Sequence, residues 1–222
     1  QQPPMLEVLR FLLDRRSAVH MGIAAGLSSF VGYAVVNFMP MFLRRSFDMA
    51  YDDIGFLLGI VVGIFGGIGF FFGGFIADRI GMAGQRRAFR FIAAAMLAGA
   101  ALNAGVFLST SIAWCIGLLL LPMIVTNFYL APVLSQAQGL VSLRMRSVAS
   151  ALVLLVINTI GLALGPLVTG IVSDLLEPRF GIESMRYSLL AVSVVILPWA
   201  AWHYFCAGQT IEADLVRATE ND

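Results

Sequence analysis

The sequence predicts an all-α integral membrane fold of six transmembrane helices, arranged as two inverted sets of three. Three observations carry this. Hydrophobic residues make up 59% of the 222 residues and charged residues 12%, with a mean hydropathy of +0.90. Soluble domains carry about twice that share of charge, and a soluble fold cannot hide so much apolar surface. Next, no Asp, Glu, Lys or Arg occurs from Phe91 to Leu143. As one helix that run would reach roughly 80 Å at 1.5 Å per residue, against a hydrocarbon core about 30 Å thick, so it must hold two spans. Finally, short polar motifs recur. Gly74-x-x-x-Asp78 ends the second apolar run and Gly170-x-x-x-Asp174 the fifth. Asn37-Phe38 precedes Pro40 in the first run, and Asn127-Phe128 precedes Pro132 in the fourth. Pairing one with four and two with five gives two triplets, and an odd number of spans inverts the second.

Residues 1–17 interleave Leu6, Val8, Leu9, Phe11 and Leu12 with Glu7, Arg10, Asp14, Arg15 and Arg16. That pattern fits a linker or amphipathic helix at the cytoplasmic membrane surface. The spans are expected at 18–43, 54–77, 91–108, 112–138, 147–173 and 187–207. Ser109-Thr110-Ser111 supplies the turn between the third and fourth. Residues 208–222 read as a polar cytoplasmic tail. All basic residues are arginine, and they sort unevenly. Arg10, Arg15, Arg16, Arg79, Arg86, Arg87, Arg90, Arg144, Arg146 and Arg217 fall on one side. Arg44, Arg45, Arg179 and Arg186 fall on the other. The excess of arginine marks the cytoplasmic side, which puts both termini in the cytoplasm and the protein in the cell (inner) membrane.

Other classes fare poorly. A net charge of +1 argues against a nucleic-acid partner. Cys115 and Cys206 lie inside apolar runs and read as free, buried thiols. There is no nucleophile with a base, no metal-ligand cluster and no phosphate loop, so no catalytic residue, metal or cofactor is expected and the protein does not read as an enzyme. The chain opens Gln1-Gln2-Pro3-Pro4 without an initiator methionine or signal peptide, and is expected to be a piece of something longer.

Gly73 to Gly81, GGFIADRIG, with Arg86, Arg87 and Arg90 beyond it, resembles the loop signature of the major facilitator superfamily, here Gly74-x-x-x-Asp78-Arg79-x-Gly81. The basic pair expected directly after the second glycine is displaced to Arg86-Arg87. The tract FLRRSFDM, the pair Arg144-x-Arg146, Asn158-Thr159-Ile160-Gly161 running into GLALGPLVTGIVSD, and EPRFGIESMRYSLL are similar to the Spinster-like branch of that superfamily. The resemblance implies the C-terminal half of a twelve-helix transporter, spans seven to twelve, working by alternating access. Transport would be secondary active or facilitative, and its partners would be the lipid bilayer, the N-terminal six-span half of the same transporter, a small amphiphilic, lipid-like substrate and, where transport is proton-coupled, protons. The competing class is a six-span interaction or sensor protein without transport activity.

Within that frame Asp78 and Arg79, with Gly74, Gly81, Arg86 and Arg87, would form a cytoplasmic gating latch, because a carboxylate suits the N-terminus of a neighbouring helix. Asp174 would act likewise on the outer side. Polar side chains near mid-span are the substrate-binding candidates, since uncompensated polar groups in hydrocarbon are costly. They are Tyr33 and Asn37 in the first span, Thr126, Asn127 and Tyr129 in the fourth, and Asn158 beside Thr159 in the fifth. Family architecture turns spans three and six toward lipid, so Asn103 reads as packing. Gly55, Gly59, Gly63 and Gly67, four apart, mark a seam for close helix approach. His20, His203, Gln136 and Gln138 read as boundary residues. No Asp, Glu, Lys or Arg falls in the middle of any span, so a midplane carboxylate or a headgroup-binding arginine would have to come from the other half.

Overall fold

The computed structural model describes residues 4–220, and all regular structure among them is helical. The outermost residues of the expected linker and tail, 1–3 and 221–222, lie outside the described residues. Five helical stretches are long and apolar enough to cross a bilayer, so this is a multi-pass membrane protein.

Helix α1 (Met5–Leu13) is the amphipathic opening element. It buries Val8 and Leu12 and leaves Met5, Leu6 and Leu13 exposed. The chain turns at Asp14, and Arg15 folds back over α1. Its guanidinium donates to the Phe11 carbonyl at 3.0 Å and stands 3.6 Å from the centre of the Phe11 ring. Burial pushes the Arg15 guanidinium down from its ordinary value, and the nearby Asp214 carboxylate opposes that shift.

Helix α2 (Arg16–Phe47) is the central pillar. Its small residues let neighbours reach the backbone. A Cβ on Gly161 would strike Ser29, and one on Gly165 would sit 2.6 Å from the Phe30 carbonyl oxygen. Asp48 closes α2 in the left-handed conformation, φ 53°, while its carboxylate pairs with Arg44 at 2.9 Å.

The second crossing is α3 (Tyr51–Leu58), a π-helical segment (Gly59–Phe65) and α4 (Gly66–Gly81). The seam expected at Gly55, Gly59, Gly63 and Gly67 is not used within this chain: a Cβ there would meet nothing within 4 Å. The close approach is made instead by Gly69 and Gly73, against the backbone of Ile124 and Phe128.

Gly84, φ 124°, starts α5 (Gln85–Leu108). The fourth crossing is discontinuous. Helix α6 (Ile112–Val125) stops, residues 126–129 form turns, and α7 (Leu130–Gly139) resumes. Proline explains the break, because Pro132 has no N–H to offer the Phe128 carbonyl one turn back. The backbone N–H groups of Asn127 and Phe128 reach only three residues back, to Ile124 at 3.2 Å and Val125 at 3.3 Å.

A 3₁₀ turn (Leu143–Met145) leads into α8 (Arg146–Ile157), a second π-helical segment (Asn158–Leu164) and α9 (Gly165–Phe180). Gly181, φ 53°, and the 3₁₀ turn Gly181–Glu183 then precede α10 (Ser184–Glu220). Glu183 receives Arg186 Nε at 2.6 Å and Ser46 Oγ at 3.0 Å, tying α10 to α2 at that end.

Helix α10 runs unbroken through the region expected as a polar tail, and it packs along α5 and α2. These three helices hold the densest core, including Met21, Phe42, Phe89, Ile92, Met96, Phe107 and Tyr204. The crossings around them expose large apolar side chains such as Phe71, Trp114, Leu162 and Leu175. In a membrane protein such faces meet lipid or another protein surface.

Candidate functional site: a cavity at the broken span

A cavity of about 280 Å³ opens where α2, the second crossing and the interrupted fourth crossing meet. Tyr33, Thr126, Asn127 and Tyr129, all singled out from the sequence, line it. Asn37 and Asn158 do not. Asn158 nevertheless touches the site, because its Oδ1 accepts the Tyr33 hydroxyl at 3.2 Å. The two asparagines spend their amide donors on their own helices. Asn37 donates to the Tyr33 carbonyl at 2.8 Å and Asn158 to the Leu154 carbonyl at 2.8 Å. The wall is mostly apolar, with Val31, Val35, Val62, Phe70, Leu119 and Ile157, and no charged side chain lines it.

The break in the fourth crossing shapes this wall. Thr126 Oγ1 donates to the Pro122 carbonyl at 2.7 Å and Asn127 Nδ2 to the Met123 carbonyl at 2.6 Å. The Asn127 amide thus answers the Met123 carbonyl, which the Asn127 backbone N–H bypasses for Ile124, while the Pro122 carbonyl takes both the Thr126 N–H at 2.9 Å and its hydroxyl. Gly69 and Gly73 admit the turn to backbone contact with α4.

Asn103 belongs to this site as well. It is 3% exposed and lines the cavity from α5, whereas family architecture placed it among lipid-side packing residues. Ser28 and Ser29 were not singled out from the sequence. Each donates to a backbone carbonyl on α2, Ser28 to Ala24 at 2.9 Å and Ser29 to Gly26 at 2.8 Å, and each lines the same cavity. Serine among alanines and glycines in a span gives no sequence signal for a cavity, since its hydroxyl returns to its own helix.

The expected latch residues sit at one end of α4. Asp78 is exposed, and its carboxylate makes no hydrogen bond or ion pair among the described residues. Arg79 lies back on the Phe75 ring, 4.8 Å from its centre. A Cβ on Gly81 would meet the Gln85 amide at 3.1 Å, and one on Gly74 would meet Ala131 at 3.2 Å. The Arg86 and Arg87 side chains are exposed. Asp174, at the far end of the fifth crossing, is exposed and makes no contact with this group.

The same end of the molecule holds a network that the sequence did not announce. Glu212 Oε1 accepts the Arg86 backbone N–H at 3.3 Å, and Asp214 Oδ2 accepts the Ser17 backbone N–H at 3.0 Å and its hydroxyl at 2.7 Å. Two carboxylates on α10 thus cap the N-termini of α5 and α2, where free N–H groups favour anions. Gln136 donates to Gln85 at 3.1 Å and Gln138 to Ser150 at 2.9 Å, so these boundary glutamines bridge helices. His20 and His203, apart in sequence, stand Nδ1 to Nδ1 at 2.9 Å.

Comparison with known proteins follows the same lines. The sequence profile of the Organic Anion Transporter Polypeptide (OATP) family matches residues 2–113. An MFS-type efflux pump of Mycolicibacterium smegmatis (strain ATCC 700084 / mc(2)155) is 26% identical over 205 residues, 92% of this chain and 48% of that protein. Two crystal structures of a bacterial homologue of the human lysosomal transporter Spinster share the fold. The inward-facing, unoccupied form superposes with a TM-score of 0.82 at 22% identity, over 94% of this chain and 51% of the other. The inward-facing, occupied form gives 0.75 at 22% identity, over 90% and 50%. The chain therefore has the major facilitator fold anticipated from the Gly74–Gly81 motif, and it spans about half the length of the relatives it matches.

Proposed function

Because the chain belongs to the Organic Anion Transporter Polypeptide (OATP) family, we propose that it forms the C-terminal six-span half of a secondary transporter that moves a small amphiphilic, lipid-like molecule by alternating access. The carrying observation is the cavity. It is apolar, it has a few inward polar groups, and it is built on an interrupted span, as substrate sites in such transporters are. A sugar would need more hydrogen-bond partners than this wall supplies. The family name speaks of organic anions. With no charged side chain on the wall, a substrate's negative charge would be met by the other half. The description of the mycobacterial relative as an efflux pump favours export.

Six spans, rather than five, suit the fifth apolar stretch. Leu143–Ala218 is 76 residues long, roughly 114 Å if straight, several times the hydrocarbon thickness. Gly181 turns the chain, and α10 then packs back on α9. The inverted-repeat reading gains support from the π-helical segments, Gly59–Phe65 and Asn158–Leu164, because each lies within the middle member of its triplet. The arginine distribution supports an inner-membrane orientation with both termini cytoplasmic.

The test is reconstitution of the full native polypeptide in liposomes, with flux followed for a fluorescent lysophosphatidylcholine and for glucose. Protein-dependent movement of the lysolipid but not of glucose is expected. Glucose movement without lysolipid movement would overturn the amphiphile, and no movement of either would favour the non-transporting alternative.

A further inference from the structure

Most polar groups on the cavity wall are already committed to the protein. Ser28, Ser29, Thr126 and Asn127 donate to backbone carbonyls, and Tyr33 donates to Asn158. Two groups are not. The Asn103 carboxamide and the Tyr129 hydroxyl make no hydrogen bond among the described residues, although Asn103 is 3% and Tyr129 7% exposed. Neither is sealed among apolar atoms either. Both residues line the cavity, and the polar atoms of each keep some accessible surface. Buried polar groups in native proteins nearly always have a partner, and two unanswered ones facing a single cavity are an exception that asks for one.

We infer that Asn103 and Tyr129 form a recognition subsite for the uncharged hydroxyl or amide group of an amphiphilic substrate. The inference rests on the reading of this cavity as a substrate site and gives that substrate a chemistry. A carboxamide offers donors and an acceptor, and a phenol offers one of each. The complementary group therefore both donates and accepts, as an alcohol or a carboxamide does. A carboxylate only accepts, and it would carry its charge to a wall with no counter-charge. The apolar remainder of the wall takes the start of an alkyl chain. Asn103 reaches the cavity from α5, outside the spans that the resemblance assigned to the central cavity. It is thus a specificity residue that span position alone would pass over.

The test uses the full native polypeptide in lipid nanodiscs. Binding of radiolabelled 1-decanol, decanamide and decanoate is measured by equilibrium dialysis against empty nanodiscs. Decanol and decanamide are expected to bind through this subsite, and decanoate, whose charge the other half would meet, is the control. Tyr129→Phe, which removes a single oxygen and leaves the ring packed, and Asn103→Leu are each expected to weaken both neutral ligands about 3- to 10-fold, the worth of one hydrogen bond. Decanoate binding should change little. Neutral-ligand binding by Tyr129→Phe within twofold of wild type would overturn the inference, as would an equal loss of decanoate binding in both variants. The transport reading fails separately. Selective loss of the neutral probes in the two variants, without lysolipid flux in the wild type, would sink transport and leave the subsite. Lysolipid flux with no selective loss would do the reverse.

Discussion

Gly63 and Gly73 lie on the same crossing and have opposite surroundings. A Cβ at Gly73 would run into the Cα and carbonyl of Phe128, and backbone atoms cannot swing aside. Gly73→Ala is therefore expected to cost about 1–3 kcal/mol, the usual scale of overpacking. A Cβ at Gly63 would meet nothing within 4 Å. Gly63→Ala should be neutral or stabilising by about 0.5–1 kcal/mol through better helix propensity. Thermal unfolding of the two variants in one detergent decides it, and equal losses would contradict the open stripe. The pair also marks what the sequence can tell. Spacing picks out a glycine face, and Gly69 and Gly73 have the same spacing of four as the stripe at Gly55 to Gly67. Only the partner chooses between them, and the partner is a turn in a different crossing. Among the site residues, Tyr33, Thr126, Asn127 and Tyr129 were legible because polar groups in an apolar run stand out. Asn103 stood out equally and was set aside on span position alone.

At the scale of elements, the membrane-crossing helical character of the apolar runs was legible because a bilayer demands long apolar helices. Their internal interruptions were less so. Pro122 and Pro132 stand in the fourth crossing, where an interior proline disturbs the helix, and a four-residue break between α6 and α7 is what the chain makes there. The π-helical segments carry no comparable mark, since Gly59–Phe65 and Asn158–Leu164 read as ordinary apolar sequence. The helical continuation of α10 past Gly208 was hidden by its polarity. Gly208 passes close to the Arg86 carbonyl, and Glu212 and Asp214 find helix N-termini to cap, so polar residues there serve packing rather than a loose tail. The break in the fourth crossing is open to direct test. Pro132→Ala supplies an N–H to the Phe128 carbonyl and removes an interior proline, whose penalty is about 3 kcal/mol in a regular helix. The variant is expected to melt no lower than wild type. Its lysolipid flux should fall severalfold, as Asn127 and Tyr129 rotate away from the cavity. Unchanged flux would mean that the turn is incidental to the site.

At the scale of the whole molecule, the chain is buried where α2, α5 and α10 meet and exposed along the second and fifth crossings, where Phe71, Phe75, Leu162 and Leu175 face outward. The open glycine stripe lies on the second crossing, and Asp78 stands near its end. A carboxylate at the end of a span, without a partner among the described residues, is placed to meet something beyond them. In the proposed transporter a helix N-terminus of the other half would supply what it lacks, free N–H groups and the positive end of a dipole, typically worth about 0.3–1 kcal/mol and up to about 2 kcal/mol when partly buried. Such a contact would form only with the cytoplasmic ends of the two halves closed together, so under the proposed alternating access it would stabilise the outward-facing state over the inward-open one. Asp78→Asn keeps the size of the side chain and removes its charge. It should shift the population toward inward-open by a factor of about 2 to 5 if the full effect of an exposed charge is lost. Paired spin labels on the cytoplasmic ends of the two halves, read as distance distributions in the full native polypeptide, measure that shift directly. Distributions identical to wild type would reduce Asp78 to a charge that merely ends a span, and the latch would have to be sought in Arg79 or the arginines beyond it.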